Sequence, residues 1–165
     1  MKGTLSLVGR PGWCRRLHAS GLLLLTVFLL SPDCLTRAGE MGNFTGWNSC
    51  TDCHKNITVD WQQSRHARAF ESLKKSGQQG LPACIRCHVT GYGETGGFID
   101  DELTPELAGV QCEACHGPAG KHVSALEKKN ITSVPKVDIC RRCHTPGQDP
   151  KFDYAKKIRN IHGAR

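Results

Sequence analysis

The stretch VQCEACHGPAGKH, residues 110–122, carries Cys112, Cys115 and His116 in the order C-x-x-C-H, followed six residues later by His122. The same five-residue pattern occurs three more times: CTDCH at 50–54, CIRCH at 84–88 and CRRCH at 140–144. Each cysteine pair (Cys50/Cys53, Cys84/Cys87, Cys112/Cys115, Cys140/Cys143) has a histidine directly behind it: His54, His88, His116 and His144. C-x-x-C-H is the attachment signal of c-type haem. The two thiols add to the porphyrin vinyl groups as thioethers, and the adjacent histidine reaches the iron from one face. A disulfide framework would explain paired cysteines in an exported chain, but not a histidine after every pair. Structural zinc would take two pairs per ion and needs no fixed fifth residue. The pattern therefore predicts four covalently bound haem c groups.

Working outward, the N-terminus has the form of an export signal. Lys2, Arg10, Arg15 and Arg16 precede the apolar run GLLLLTVFLL (residues 21–30), and Ala38 is a small residue at a plausible cleavage point. The apolar run is shorter than the about 20 residues a membrane-spanning helix needs. The reading is a cleaved signal at 1–38, a tetrahaem domain at 39–165, periplasmic localisation and no stable membrane span in the mature chain. Loss of 1–38 removes Cys14 and Cys34, so every remaining cysteine belongs to a motif. It also removes five basic residues and one acidic residue, lowering the net charge from +7 to +3. No basic run is interleaved with aromatics, so nucleic-acid binding is not supported.

The mature length leaves roughly 32 residues per haem, too few to give each its own protein core. The apolar macrocycles must form much of the interior and lie close together. The expected fold is mainly α, a multihaem cytochrome c arrangement of short helices and long loops around four haems with little or no sheet. Without haem the chain is not expected to fold.

Each iron bound by one histidine has a second axial position. The spare histidines of the mature chain are His66, His122 and His162, and Met41 lies close to the new N-terminus. Four irons thus share three good distal ligands, leaving one open. His122 is too near Cys112 and Cys115 to wrap around the ring held by His116, so it is expected to reach a neighbouring haem. Locally, TVDWQQSRHARAFESLKKSG (58–77) predicts a helix capped by Thr58 or Asp60 and ended by Gly77, with His66, Phe70 and Leu73 on one stripe. Thr104 and Pro105 read as a helix start. GYGETGG (91–97) reads as a loop, and 149–162 as a terminal helix. Asp100, Asp101, Glu102 and Glu106 read as a solvated loop and helix start.

These motifs resemble the cytochrome c-554 family, tetrahaem periplasmic cytochromes that accept electrons from hydroxylamine oxidoreductase. The resemblance runs through CTDCHKNITVDWQQSRHARAFESLK, CIRCHVTGYGETGGF, LAGVQCEACHGPAGKH and CRRCH. It implies His54 with His122 on haem 1, His116 with His66 on haem 3, His144 with His162 on haem 4, and His88 alone on a five-coordinate haem 2. The chain is shorter than the family between His66 and Cys84 and after Cys143. In HTPGQDP, Gly147 follows Thr145 and Pro146, where the family has an aromatic residue near the open haem.

The implied function is electron transfer between redox proteins, with a hydroxylamine-oxidoreductase-like multihaem donor and an unknown acceptor. Nitric oxide or a related nitrogen oxide reduced at the open His88 haem is the enzymatic alternative. The carrier reading is favoured because no proton-delivery constellation is evident. A membrane-anchored quinol dehydrogenase subunit would need the N-terminal segment to be kept. The basic residues of the second half, among them Lys121, Lys128, Arg141, Arg142 and Lys156, suit either docking of an acidic partner or neutralisation of haem propionates.

Overall fold

A computed structural model describes residues 43–162. The signal reading of 1–38 and the terminal position of Met41 lie outside the described residues. Within them the regular structure is helical, and the β pairing is one isolated antiparallel bridge between Val89 and Ala108. The helices are α1 (Lys55–Gln62), α2 (Ala69–Ser76), α3 (Pro82–Ile85), α4 (Cys112–His116), α5 (Gly120–Ala125), α6 (Val137–Arg141) and α7 (Tyr154–Lys157), joined by loops and short 3₁₀ turns. Segments this short are unstable on their own and depend on packing. No helix among the described residues is long and apolar enough to cross a membrane.

The continuous helix expected over 58–77 is broken into α1 and α2. Helix α1 starts at Lys55, with His54 at its N-cap, before the expected caps, and buries Thr58, whose hydroxyl bonds back to the Lys55 carbonyl at 2.8 Å. Residues 63–68 form turns, and His66 sits among them. The break has a tertiary cause. The His66 carbonyl accepts a hydrogen bond from Val110 N (3.0 Å), drawing it out of a helical ladder. Gly109 makes this approach feasible: its φ is +88°, and an added Cβ would lie 2.7 Å from the Ala67 carbonyl oxygen. Helix α2 ends as expected at Gly77, left-handed at φ 67°, with Gln78 N bonded to the Leu73 carbonyl.

The hydrophobic core gathers Phe70 and Leu73 of α2, Ile85 of α3, Val89, Phe98 and Leu107, with Phe44, Cys84, Tyr92 and Ala108 packed against it. Phe70 and Phe98 meet edge to face at 5.2 Å. Residues 91–97 form the expected loop. Pro105 opens only a single 3₁₀ turn, Pro105–Leu107, and Thr104 serves a different turn by accepting from Ile99 N (2.8 Å). Asp100 accepts from Leu103 N (2.7 Å), and Asp101 pairs with Lys74 (3.1 Å). Beyond Ala119 the chain is thinly packed. Its terminal helix, α7, starts only at Tyr154, capped by Asp153 accepting from Lys156 N, and leaves Phe152 outside.

Candidate haem-binding site

The eight motif cysteines are all free thiols, and electrostatic coupling links six of them across motifs. Cys50 of the first motif and Cys112 of the third share a hydrogen bond. That bond pushes the Cys50 thiol up, with burial adding to it, and draws Cys112 down. Burial and then a hydrogen bond with Cys87 push Cys143 up to about 12. Cys115 is pushed up by burial and next by Cys140. The motifs are therefore neighbours in the order first, third, fourth, second.

Cys53 differs from the other attachment cysteines in its surroundings. It is exposed, whereas the other seven are half-buried. The reason is local. Cys53 belongs to the turn at 51–53 that links the 3₁₀ turn Trp47–Cys50 to α1, and Asp52 and His54 beside it are exposed as well. Bonds from Glu113 of the third motif and from Gln111 just before it hold the chain at Thr45, Gly46 and Trp47, which draws the Cys50 end inward. Three residues later the turn has carried Cys53 to the outer side. The two thiols of the first motif thus stand in different surroundings, one against Cys112 and one facing water.

The histidine rings lie in facing pairs. His54 and His122 have centroids 6.5 Å apart and planes 29° apart. His116 faces His162 at 5.9 Å and 20°. His66 faces His144 at 6.0 Å and 68°. Two imidazoles each about 2 Å from one metal, with about 1 Å more from nitrogen to ring centre, have centroids roughly 6 Å apart. The three pairs thus have the separation of two axial ligands on one iron. Among the described residues no group of three or more donor side chains converges on one point. Donors arriving in twos suit a planar macrocycle, which supplies the other four bonds; tetrahedral zinc takes four protein donors.

The first pair is the one implied by the resemblance. The other two differ from it: His116 faces His162, where His66 was implied, and His144 faces His66, where His162 was implied. His122 does not face His116, in keeping with the short tether between them. His88 is the histidine left over among the described residues.

Several rings are fixed at Nδ1. His88 donates to the Ala69 carbonyl (2.7 Å), with Ser72 Oγ at 3.3 Å. His116 donates to the Thr132 carbonyl and His122 to the Glu127 carbonyl (3.0 Å). His144 donates to Asp149 Oδ2 (2.9 Å). A carbonyl can only accept, so the proton sits on Nδ1 and the Nε2 lone pair is free to bind metal. Burial, then the charge of His144, holds His66 below the ordinary imidazole range and keeps it in the neutral, metal-binding form.

A buried polar clamp joins the first motif to the third. Glu113, inside the third C-x-x-C, is 2% exposed. Its carboxylate accepts from the backbone N–H groups of Thr45 (3.0 Å), Gly46 (2.9 Å) and Ala119 (2.7 Å). Gln111 accepts from Trp47 N (2.8 Å) and donates to the carbonyls of Glu106 and Ala108. Trp61 Nε1 donates to the Val110 carbonyl (2.9 Å). The sequence reading missed Glu113, Gln111 and Asp149. For Glu113 the one available signal was an acid set between two cysteines next to an apolar segment.

Comparison with known proteins places these features. The family model for cytochrome c554 and c-prime matches residues 49–117. Cytochrome c-554 of Nitrosomonas europaea is 33% identical over 156 residues, which is 82% of this chain and 64% of that protein. The chain thus spans a little under two thirds of that relative. The multiheme cytochrome MtrA of Shewanella baltica is 30% identical over 87 residues, 44% of this chain and 25% of that one. The solved structure of reduced cytochrome c554 from Nitrosomonas europaea aligns with a TM-score of 0.57 at 26% identity, covering 74% of this chain and 85% of that chain.

Proposed function

We propose that the chain is a member of the cytochrome c554 family, whose model matches residues 49–117, and that as a multihaem c-type cytochrome it carries four haem c groups and passes electrons between redox proteins. Three irons take histidine on both faces, through His54/His122, His116/His162 and His144/His66. His88 alone binds the fourth. The three facing pairs at 5.9–6.5 Å carry this reading.

Bound haem supplies the iron that takes up and gives back the electron. The protein's part is placement. The cysteine couplings support the attachment order first, third, fourth, second. At the first site, Cys50 would hold the inner edge of the ring and Cys53 the edge nearest solvent, a place where an electron can enter or leave. Histidine on both faces favours the ferric state relative to histidine with methionine, so low potentials are expected at three sites. Rings held at Nδ1 by backbone carbonyls keep their orientation in both redox states.

His88 supports a second reading. Its ring is fixed by Ala69 and has no histidine opposite it among the described residues, so its haem would have room for a small ligand such as nitric oxide. The basic side chains at Lys121, Lys128, Arg141, Arg142 and Lys156 are exposed, which supports docking of an acidic partner. A hydroxylamine-oxidoreductase-like donor, export to the periplasm and cleavage after 1–38 complete the proposal.

Spectroscopy of the purified holoprotein tests it. Four covalent haems are expected, three low-spin and one high-spin, the last shifting with nitric oxide. His66→Ala should turn the haem on Cys140 and Cys143 high-spin, and His162→Ala the one on Cys112 and Cys115. NMR contacts of the thioether bridges identify which haem has changed. Exchanged results would restore the pairing implied by the resemblance, and four low-spin haems would remove the open site.

A further inference from the structure

Resting on the ligand assignment just proposed, we infer that Asp149 is a positioning residue that acts through His144 and makes the haem on Cys140 and Cys143 the lowest in reduction potential of the three sites with histidine on both faces. The Nδ1 bonds of His88, His116, His122 and His144 differ in their acceptors. His88, His116 and His122 donate to neutral backbone carbonyls. His144 donates to a carboxylate oxygen at 2.9 Å. A charged acceptor forms the stronger bond and draws the proton further from the ring. The ring then offers more electron density at Nε2, which raises its basicity as a ligand. Ferric iron carries one more positive charge than ferrous, so the more basic ligand stabilises it more, and the potential falls.

The chain builds this contact locally. Asp149 N and Gln148 N both bond to the Thr145 carbonyl (2.8 and 3.0 Å), closing the HTPGQD segment on itself and returning the carboxylate to the histidine that begins it. Phe152 N bonds to the Asp149 carbonyl (3.1 Å), and its ring lies over the His144 ring at 4.5 Å and 17°. The imidazole is held at one edge by charge and on one face by an aromatic ring. Among the described residues no lysine or arginine pairs with Asp149 to cancel its charge. Both side chains are about a third exposed, at 33% and 35%. Water weakens the charge effect without replacing the bond. The fourth motif lies between the third and the second, since Cys115 neighbours Cys140 and Cys143 neighbours Cys87. The site with the lowest potential would therefore stand between the His116 and His88 sites.

The experiment is a redox titration of the full holoprotein, followed haem by haem. In the unaltered protein, three low-spin haems should appear, and NMR contacts should assign the lowest potential among them to the Cys140/Cys143 haem. In Asp149→Asn that haem should stay low-spin, rise in potential toward the other two and shift its near-infrared charge-transfer band, while the remaining haems keep theirs. Asp149→Glu should restore the low value. Unchanged potentials in Asp149→Asn, loss of low-spin character, or a common shift of all haems would overturn the inference. So would assignment of the lowest potential to another low-spin haem in the unaltered protein, a result that needs no variant. Fewer than three low-spin haems before any substitution would instead overturn the ligand assignment, and this inference with it.

Discussion

Residues 43–119 and residues 120–162 are built on different principles. Every hydrophobic core side chain of the described residues lies in the first region, from Trp61 to Ala119. So do the buried polar groups Thr58, Thr90, Gln111 and Glu113. In the second region only Pro135 is buried. The regions nonetheless divide the paired ligands evenly, because each facing pair takes one histidine from each: His54 with His122, His66 with His144, His116 with His162. Three irons would therefore act as staples across the boundary, and ligation would do for the second region what apolar burial does for the first. His88, left without an opposing ring, lies wholly on the packed side.

The strongest way to break this comparison is to withhold haem. A variant with all eight motif cysteines changed to serine should lose protection throughout 120–162, with amide exchange there approaching that of an unfolded chain. The segment around Phe70, Ile85, Phe98 and Leu107 should keep some slow exchange. Uniform protection across both regions would show that the second region holds itself together. Uniform loss would show that even the first core is too small to stand without its haems, as the residue count per haem suggests.

That contrast also explains what could be read from the sequence. The attachment motifs were legible because thioether chemistry and axial ligation need their residues adjacent in the chain. The fold class followed from the number of haems per residue. The spare histidines could be counted, but their pairing could not, because it joins residues from two regions and depends on how the chain crosses between them. The outward position of Cys53 was equally hidden, since its motif has the same form as the other three and only the clamp from Gln111 and Glu113 sets which end turns inward. The break before α2 has a cause of the same kind: the bond from Val110 to the His66 carbonyl spans 44 positions of sequence. Asp149 and Glu113 look like solvated acids until the fold brings one to His144 and surrounds the other with N–H groups.

Core truncation gives the next largest effect. Leu107 is 2% exposed and is part of the apolar cluster. Leu107→Ala should destabilise the holoprotein by about 2–5 kcal/mol in denaturant melts, through lost transfer energy and a residual cavity. The same truncation at Leu126, which is 73% exposed, should cost less than about 0.5 kcal/mol. Equal costs at the two sites would erase the distinction between a packed and an unpacked region.

The smallest effect concerns strain. Leu126 ends α5 in the left-handed region at φ 56°, the one non-glycine residue with positive φ among those described. For a residue with a Cβ this costs roughly 1–2 kcal/mol. Glycine would relieve it but would lose about 0.5–1 kcal/mol more conformational entropy on folding. Leu126→Gly should therefore stabilise the holoprotein, by up to about 1.5 kcal/mol, even though it deletes a large apolar side chain. The turn has a reason to persist despite its strain. It bonds Leu126 N to the His122 carbonyl at 2.7 Å and presents the Glu127 carbonyl to His122 Nδ1. A conformation of this kind survives where surrounding bonds over-determine it, and in a region without a core those bonds run through a histidine facing His54. If Leu126→Gly instead lowers the melting midpoint, its side chain has a packing partner in the holoprotein, and the second region is less dependent on ligation than its burial pattern indicates.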